Sequence, residues 1–188
     1  MFCSHVLRRV IACAAAALFL LPAVPAAAAQ LQAGAAKVDV TPPESSLPKN
    51  FRGILDPLFA RAIVVDDGKT RAAMVTIDAG AVPPPLWTKL ADRAERELRI
   101  PKHQFLLTAT HTHSVPWTPA EGYEDKIFEA MRKAAAALKP ARMAYGTGVS
   151  YININRNIID RETNRWWEGP NYDGTSDKTV AVVRFATL

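Results

Sequence analysis

Cysteine is nearly absent from this sequence. Its 188 residues contain two cysteines, Cys3 and Cys13, which both lie close to the N-terminus. The rest of the chain has no thiol with which to form a disulfide, so its stability has to come from a hydrophobic core. Hydrophobic residues make up 49% of the sequence and charged residues 22%, a composition that is typical of globular proteins and excludes a disordered chain.

Long apolar runs are also scarce, and the clearest one lies near the N-terminus. Two arginines precede an unbroken apolar run from Val10 to Leu21, and small residues follow at 27–29. This order is typical of a secretory signal peptide. A transmembrane anchor is the alternative, but the run is shorter than the roughly 20 residues that cross a bilayer. We therefore predict a signal peptide at 1–29 and an exported domain at 30–188, in the periplasm or secreted.

The sequence lacks blocks of basic residues and internal repeats. The formal net charge is +5, but no stripe of lysine and arginine interleaved with aromatic residues is present, so nucleic acid is not expected as a partner. No period of about 20 to 50 residues recurs, which argues against a solenoid or a propeller. A single domain is the expectation for a chain of this length.

Hydrophobic patterning predicts a series of strands with two interspersed helices. Apolar residues at every fourth position predict the helices, at 86–98 and 127–138. Residues 155–178 are predicted to form a long polar loop. The order favours an α/β or α+β domain, with a mixed β-sheet and packed helices. Two signals predict strands: apolar residues that alternate with polar ones, and short apolar runs rich in β-branched residues. The predicted strands are 36–40, 58–65, 72–77, 104–110, 141–154 and 179–185.

The most informative motif is a pair of histidines, His111 and His113, directly after the predicted strand 104–110. Imidazole is the commonest metal-binding side chain, and residues i and i+2 of an extended segment point the same way. Both rings are therefore expected to face one pocket and to address one zinc ion. The alternative is two exposed histidines on a loop. Neither the metallo-β-lactamase pattern nor a TIM-barrel amidohydrolase, which needs about 250 residues, fits the surroundings of the motif.

The histidine motif belongs to a set of segments that follow one another along the chain. Ala33–Pro42 and Asp56–Ala62 precede it, the motif itself is Ala109–Ser114, and Asn155-Arg156 follows. Together these segments resemble the N-terminal part of the neutral/alkaline non-lysosomal ceramidase family. Members of that family use one zinc ion to hydrolyse the amide of ceramide to sphingosine and a fatty acid.

The resemblance implies roles for three side chains. His111 matches a zinc ligand, His113 matches an active-site histidine beside the metal, and Arg156 matches an arginine that binds substrate. In such a site zinc activates water and polarises the amide carbonyl, and His113 is expected to hydrogen-bond the developing oxyanion. The planar donor fork of Arg156 suits substrate hydroxyls, although a surface salt bridge is the alternative.

The resemblance also implies that the chain is the N-terminal portion of a larger catalytic domain. The family's remaining zinc ligands, a histidine, a glutamate and a tyrosine, are expected beyond Leu188. Without them the four-coordinate site is incomplete, so activity of the isolated chain is doubtful. The expected partner is a ceramide-like lipid, which also suggests peripheral contact with a membrane surface. The alternative function is a non-catalytic exported module that keeps the fold and binds a lipid or a sugar.

Other side chains are candidates for the wall of the site. The family pattern continues Ser-Gly-Pro-Gly after the second histidine, whereas this sequence has Val115 and Trp117 at the glycine positions, and these are expected to narrow or reshape the pocket. Asp78, at a strand end, lines the cleft or, as is favoured, caps a turn. Trp166 and Trp167 form an apolar lip for a lipid chain or pack onto the sheet, and packing is the favoured interpretation.

Overall fold

The structure is a computed structural model that describes residues 30–117 and 121–188. The predicted signal peptide at 1–29 lies outside the described residues. No helix within the described ranges is long and apolar enough to cross a membrane. Two short 3-10 helices lie at Glu44–Ser46 and Lys102–Gln104. The strands and α-helices follow one another in the order β1 (Gln32–Asp39), β2 (Phe59–Asp66), β3 (Arg71–Ile77), α1 (Pro84–Leu98), β4 (Phe105–Ala109), α2 (Tyr123–Ala136), β5 (Lys139–Val149), β6 (Asn155–Asp160), β7 (Arg165–Asn171) and β8 (Thr179–Thr187).

A mixed sheet forms the centre of the fold. Six strands are arranged in the order β4-β3-β2-β1-β5-β8, and β6 and β7 form a separate two-stranded sheet. Strands β3 and β4 are parallel, because α1 carries the chain back between them, and the other pairs in the large sheet are antiparallel. The predicted mixed sheet with packed helices is confirmed, and its arrangement is that of an α+β protein.

The core lies between one face of the sheet and the two helices. Alternate residues of the central strands, such as Val64 of β2 and Val75 of β3, are fully buried on this face. The helices contribute Leu90 and Ile127, which are equally buried. Helix α2 lies so close to β1 that a side chain on Gly34 would meet its backbone, with a Cβ 2.1 Å from the Ala134 carbonyl oxygen.

The opposite face of the sheet stays open to solvent in the described structure. Met74, Leu106 and Val183 project from it and are each about half exposed. The predicted strand pattern identified these positions as apolar but did not distinguish the covered face from the open one.

The predicted long loop at 155–178 is wrong, because β6 and β7 form an antiparallel hairpin inside it. The pattern of a half-buried strand is missing there, since the described residues leave most side chains of this hairpin exposed. Backbone pairing, rather than burial of alternate residues, defines the two strands. The predicted strand 141–154 also needs correction, because β5 starts at Lys139 and ends at Val149.

Candidate active site

The site forms where the parallel strands β3 and β4 end. Ile77 and Ala109 are paired at the carboxyl ends of the two strands. Just beyond this pair, the Thr110 backbone N–H donates a hydrogen bond to the Ile77 carbonyl oxygen, with a nitrogen–oxygen distance of 3.0 Å. This bond keeps the segments that follow the two strands side by side. The carboxyl ends of parallel strands are the usual position of binding sites in α/β sheets. This arrangement places His111 beside Gly80.

The His111 ring is oriented by a backbone carbonyl. Its Nδ1 atom lies 2.5 Å from the carbonyl oxygen of Gly80, which is an acceptor. Nδ1 therefore has to carry the proton, and in the neutral ring the lone pair belongs to Nε2. Metal-binding histidines are commonly oriented by a hydrogen bond of this kind.

The second histidine brings its Nε2 atom to the same point. The Nε2 atoms of His111 and His113 lie 3.4 Å apart, and the rings meet edge to face with centroids 4.9 Å apart. Two nitrogens bound to one tetrahedral zinc ion, with bonds of about 2.05 Å, are about 3.4 Å apart. The distance therefore suits two histidines that bind the same zinc ion. It also suits one histidine that binds zinc and a second that lies beside it as a hydrogen-bonding group.

The predicted convergence of the two rings is observed, but the reason given for it is wrong. His111 has a φ of 58°, in the left-handed region, so the segment is not extended at this residue. A left-handed conformation is uncommon outside glycine and is often found at functional sites. The rings are brought together by this turn and by the hydrogen bond to Gly80, and not by the alternating side-chain directions of an extended strand.

The described residues supply only part of a metal site. No group of three or more histidine, cysteine, aspartate or glutamate side chains converges anywhere in 30–117 or 121–188. Catalytic zinc sites ordinarily use three protein ligands and leave one position open. The histidine pair thus offers at most two of these ligands.

A small cavity adjoins the histidine pair. Its volume is about 110 Å³, and its walls come from the ends of the strands and the starts of both helices. Gly80 and Trp117 line this cavity and also contact the histidines. Gly80 is the hydrogen-bond partner of His111, and the Trp117 and His113 rings meet edge to face with their centroids 5.8 Å apart. The other residues that line the cavity are Val40, Pro42, Leu58, Asp78, Ala79, Ala81, Pro83, Leu86, Val115, Pro116 and Tyr123.

Asp78 has a structural role as well as a place in the cavity wall. Its Oδ2 atom accepts hydrogen bonds from the Phe59 backbone at 2.9 Å and from the Arg61 guanidinium at 2.8 Å. The carboxylate therefore ties the end of β3 to the start of β2. The favoured prediction that Asp78 caps a turn is therefore wrong, because its carboxylate bonds residues of β2, and the alternative that it lines the cleft is observed.

Tyr123 is the functional candidate that the sequence did not reveal. Tyr123 lines the cavity, and its buried hydroxyl has no hydrogen-bond partner among the described residues. Burial, together with the negative charge of Asp78, raises the pKa of this hydroxyl to about 12. An aromatic residue at the start of a helix looks like an ordinary core residue, so no sequence signal marked it.

Comparison with known proteins bears on the identity of this site. No family model matches the chain. Neutral ceramidase of Drosophila pseudoobscura pseudoobscura is 28% identical over 86% of this chain and 27% of its own length. Neutral ceramidase of Pseudomonas aeruginosa is 27% identical over 75% of this chain and 24% of its own length. The predicted resemblance to neutral ceramidases is confirmed.

Solved structures support the same fold. The structure described as ceramidase complexed with C2 has a TM-score of 0.64 and 22% identity, covering 84% of this chain and 29% of that one. Neutral ceramidase from Pseudomonas aeruginosa gives a TM-score of 0.63 at 22% identity, covering 84% and 30% respectively. The chain thus spans less than a third of the length of each of these ceramidases.

The two departures from the ceramidase pattern both lie beside the site. Val115 is buried, with 5% of its surface exposed, and lines the cavity. Trp117 packs closely on Gly80: a Cβ atom added to Gly80 would lie 2.6 Å from the Trp117 ring. Both side chains therefore line the cavity, and the narrowing or reshaping of the pocket that they are expected to cause stays a prediction.

The remaining predicted site residues lie in the hairpin. Arg156 was expected after a strand that ends at Ile154, but it lies within β6, where its guanidinium pairs with Glu168 at 3.0 Å. The structure places it outside the cavity beside the histidines. Trp166 and Trp167 of β7 are 68% and 58% exposed, so the favoured prediction that they pack onto the sheet is wrong. The described residues provide no layer to cover them.

Proposed function

We propose that this chain carries part of the catalytic site of an exported, zinc-dependent amide hydrolase that acts on a ceramide-like lipid. The observation that carries the proposal is the histidine pair, with its two Nε2 atoms 3.4 Å apart at the carboxyl ends of parallel strands. The similarity to neutral ceramidases supports the substrate class and the reaction.

The two histidines have different roles in this proposal. His111 holds the metal through Nε2, because its Nδ1 proton is committed to the Gly80 carbonyl. His113 remains beside the metal and donates a hydrogen bond to the oxygen that gains negative charge when the amide is attacked. When bound, zinc supplies a Lewis acid that activates water and polarises the amide carbonyl.

The proposed site needs ligands beyond the histidine pair. The described residues bring at most two metal-binding side chains together, whereas a catalytic zinc site uses three. We therefore expect the residues of 30–117 and 121–188 to bind zinc weakly by themselves, and turnover to need at least one further metal-binding side chain. Arg156 remains a predicted substrate-binding residue, which would have to leave Glu168 to contact a substrate hydroxyl.

The proposal is tested by zinc content and by release of fatty acid from ceramide. His111→Ala is expected to lose zinc, while His113→Ala keeps zinc and loses turnover wherever turnover is measurable. His103→Ala is the matched control, because His103 is exposed and lies before β4, at the opposite end of that strand. Equal zinc retention in the His111 and His103 variants would contradict the proposal. Ceramide binding without zinc or fatty-acid release would favour the non-catalytic lipid-binding module.

A further inference from the structure

We propose that β8 pairs with β8 of a second copy of this chain, so that the sheets of the two copies join edge to edge. The interface is the outer side of β8, which is an edge strand of the large sheet. It does not depend on zinc or on the proposed hydrolase function.

The hydrogen bonds to β5 show which backbone groups of β8 face outwards. At one end of this strand pair the Ser150 N–H donates to the Lys178 carbonyl at 2.8 Å, and at the other end the Leu188 N–H donates to the Pro140 carbonyl at 3.4 Å. Antiparallel strands direct the backbone groups of alternate residues at the partner strand. The even-numbered residues of β8 therefore bond β5, and the N–H and C=O groups of its odd-numbered residues face outwards.

These outward groups form a free edge. No other strand among the described residues pairs with it. Thr179, the first residue of the strand, is tied differently, because its N–H donates to the Asp177 carboxylate at 2.8 Å. The free edge thus consists of the backbone groups of Ala181, Val183, Phe185 and Thr187. Unpaired groups of this kind are a template for pairing with the strand of another chain.

β8 lacks the features that ordinarily protect an edge strand. Protected edges are short, or they carry lysine, proline or a bulge. The opposite edge strand, β4, has five residues, whereas β8 has nine and pairs with β5 in a regular register without a bulge. Its sequence contains neither lysine nor proline, and Arg184 is its single charged residue. A long, regular and nearly uncharged edge is suited to pairing with a further strand.

An apolar groove lies beside the free edge. Val183 and Phe185 line it together with Ile63, Met74 and Leu106 of the open sheet face, and its volume is about 430 Å³. Met74, Leu106 and Val183 are each about half exposed. Because a strand paired with the free edge lies next to this groove, pairing is expected to bury apolar surface in addition to forming backbone hydrogen bonds.

The free edge is complementary to itself. A two-fold axis through Val183 places two β8 strands antiparallel, and each strand then offers the other the same alternating N–H and C=O groups. In this register Ala181 faces Phe185 of the second copy, and Arg184 faces Val182. An axis through Arg184 would instead place two arginines opposite each other, which is unfavourable. The charge pattern therefore favours a dimer centred on Val183.

The expected dimer is small. One strand pair with its adjoining grooves is at the low end of specific interfaces, and those below about 1,200 Å² belong to weak or transient complexes. We therefore expect a reversible equilibrium between monomer and dimer in the micromolar range.

Amide hydrogen exchange of the full-length, zinc-free chain, measured by NMR at low and high protein concentration, tests the pairing. The amides of Ala181, Val183 and Phe185 should exchange about tenfold more slowly at the high concentration, where dimers predominate. The amides of Val182 and Arg184 bond β5 in both states, so they are internal controls and should not change.

Charged substitutions at the two-fold axis test the register. Val183→Lys and Val183→Glu each place like charges opposite each other, so each should weaken self-association at least about tenfold in sedimentation experiments. Both variants should fold, because Val183 is half exposed and its N–H does not bond β5. An equimolar mixture of the two variants should associate again, since opposite charges then meet.

Matched controls place the same charges elsewhere. Leu55→Lys and Leu55→Glu change a side chain that is 96% exposed and lies outside the strands, so they should associate like the wild type. The apolar run at 10–21 is the same in every variant, so association through it would be neither lost in the Val183 variants nor restored by mixing them.

Three results would overturn the proposal. The first is exchange at the free edge that does not depend on protein concentration. The second is self-association of the Val183 variants equal to that of the Leu55 variants, and the third is a mixture of the Val183 variants that stays monomeric. Protection of the free edge by a strand of another protein, without self-association, would give the first result. Because zinc is absent throughout, these outcomes are independent of the proposed hydrolase function.

Discussion

At the scale of single residues, Gly80 connects the two parts of the site. Its carbonyl oxygen orients the His111 ring, and its missing side chain lets Trp117 lie against the backbone. The sequence did not single out this residue, because a glycine after a strand is most simply interpreted as a turn. Its importance depends on two residues more than 30 positions away along the chain, His111 and Trp117.

Substitution of Gly80 tests this connection. In Gly80→Ala the new Cβ would lie 2.6 Å from the Trp117 ring, so the ring has to move. We expect changed tryptophan fluorescence and a loss of about 1 kcal/mol in the free energy of unfolding, measured in urea. Gly148→Ala is the control, because a Cβ there meets nothing within 4 Å. Identical spectra and stabilities for the two variants would show that the contact is unimportant.

The buried Tyr123 hydroxyl predicts a pH dependence of stability. Its pKa is raised from 10.0 to about 12 in the folded protein, so the folded state holds this proton more tightly than the unfolded state does. The resulting stability is present below about pH 10 and is lost as the pH rises towards about 12. Between these limits the urea midpoint of the wild type should fall more than that of Tyr123→Phe. Parallel curves for the two proteins would contradict this assignment.

At the scale of secondary-structure elements, the β6–β7 hairpin is the part that sequence patterning missed. Strands β1 to β4 of the large sheet bury alternate residues against the two helices, and that burial produces the pattern from which they were predicted. The hairpin residues are mostly exposed, so polar and apolar side chains mix without penalty. Its pairing, for example between Ile158 and Trp167, depends on partners that local periodicity does not identify.

The hairpin also determines how the Arg156 prediction is tested. An exposed ion pair such as that with Glu168 contributes at most about 1 kcal/mol to stability. If Arg156 instead binds substrate hydroxyls, its removal should lower kcat/KM by about 10- to 150-fold, since each charge-assisted bond contributes about 1.5 to 3 kcal/mol.

Two substitutions distinguish these roles in an active form of the protein. Arg156→Lys should behave like Arg156→Ala if a bidentate donor fork is needed, because lysine provides only a point charge. If Arg156→Ala has an unchanged kcat/KM and a slightly lower melting temperature, Arg156 does not bind substrate and only forms the ion pair with Glu168.

At the scale of the whole molecule, the sequence predicted the main sheet and both helices but not the cavity. Strand and helix signals are local, whereas the cavity joins Val40, Leu58, Leu86 and Tyr123, which are far apart in sequence. The histidine pair was predictable because its residues are neighbours along the chain. The left-handed backbone at His111 and the hydrogen bond of its ring to Gly80 were not predictable, because no local signal marks the first and the second joins residues 31 positions apart.

The export prediction also concerns the whole molecule. The basic start, apolar run and small residues of the first 29 positions predict cleavage near Gln30. N-terminal sequencing of protein recovered from the periplasm or the medium should therefore begin near Gln30. Accumulated protein that still begins at Met1 would contradict the signal peptide and favour the membrane anchor.

The central claim is that His111 presents an unprotonated Nε2 to a zinc ion. Long-range proton–nitrogen NMR correlation of the histidine rings, recorded before and after addition of zinc, tests it most directly. We expect His111 to carry its proton on Nδ1 without metal, and its Nε2 resonance to shift when zinc is added while those of His103 stay in place. A proton on Nε2 of His111, or a His111 spectrum unchanged by zinc, would contradict the claim.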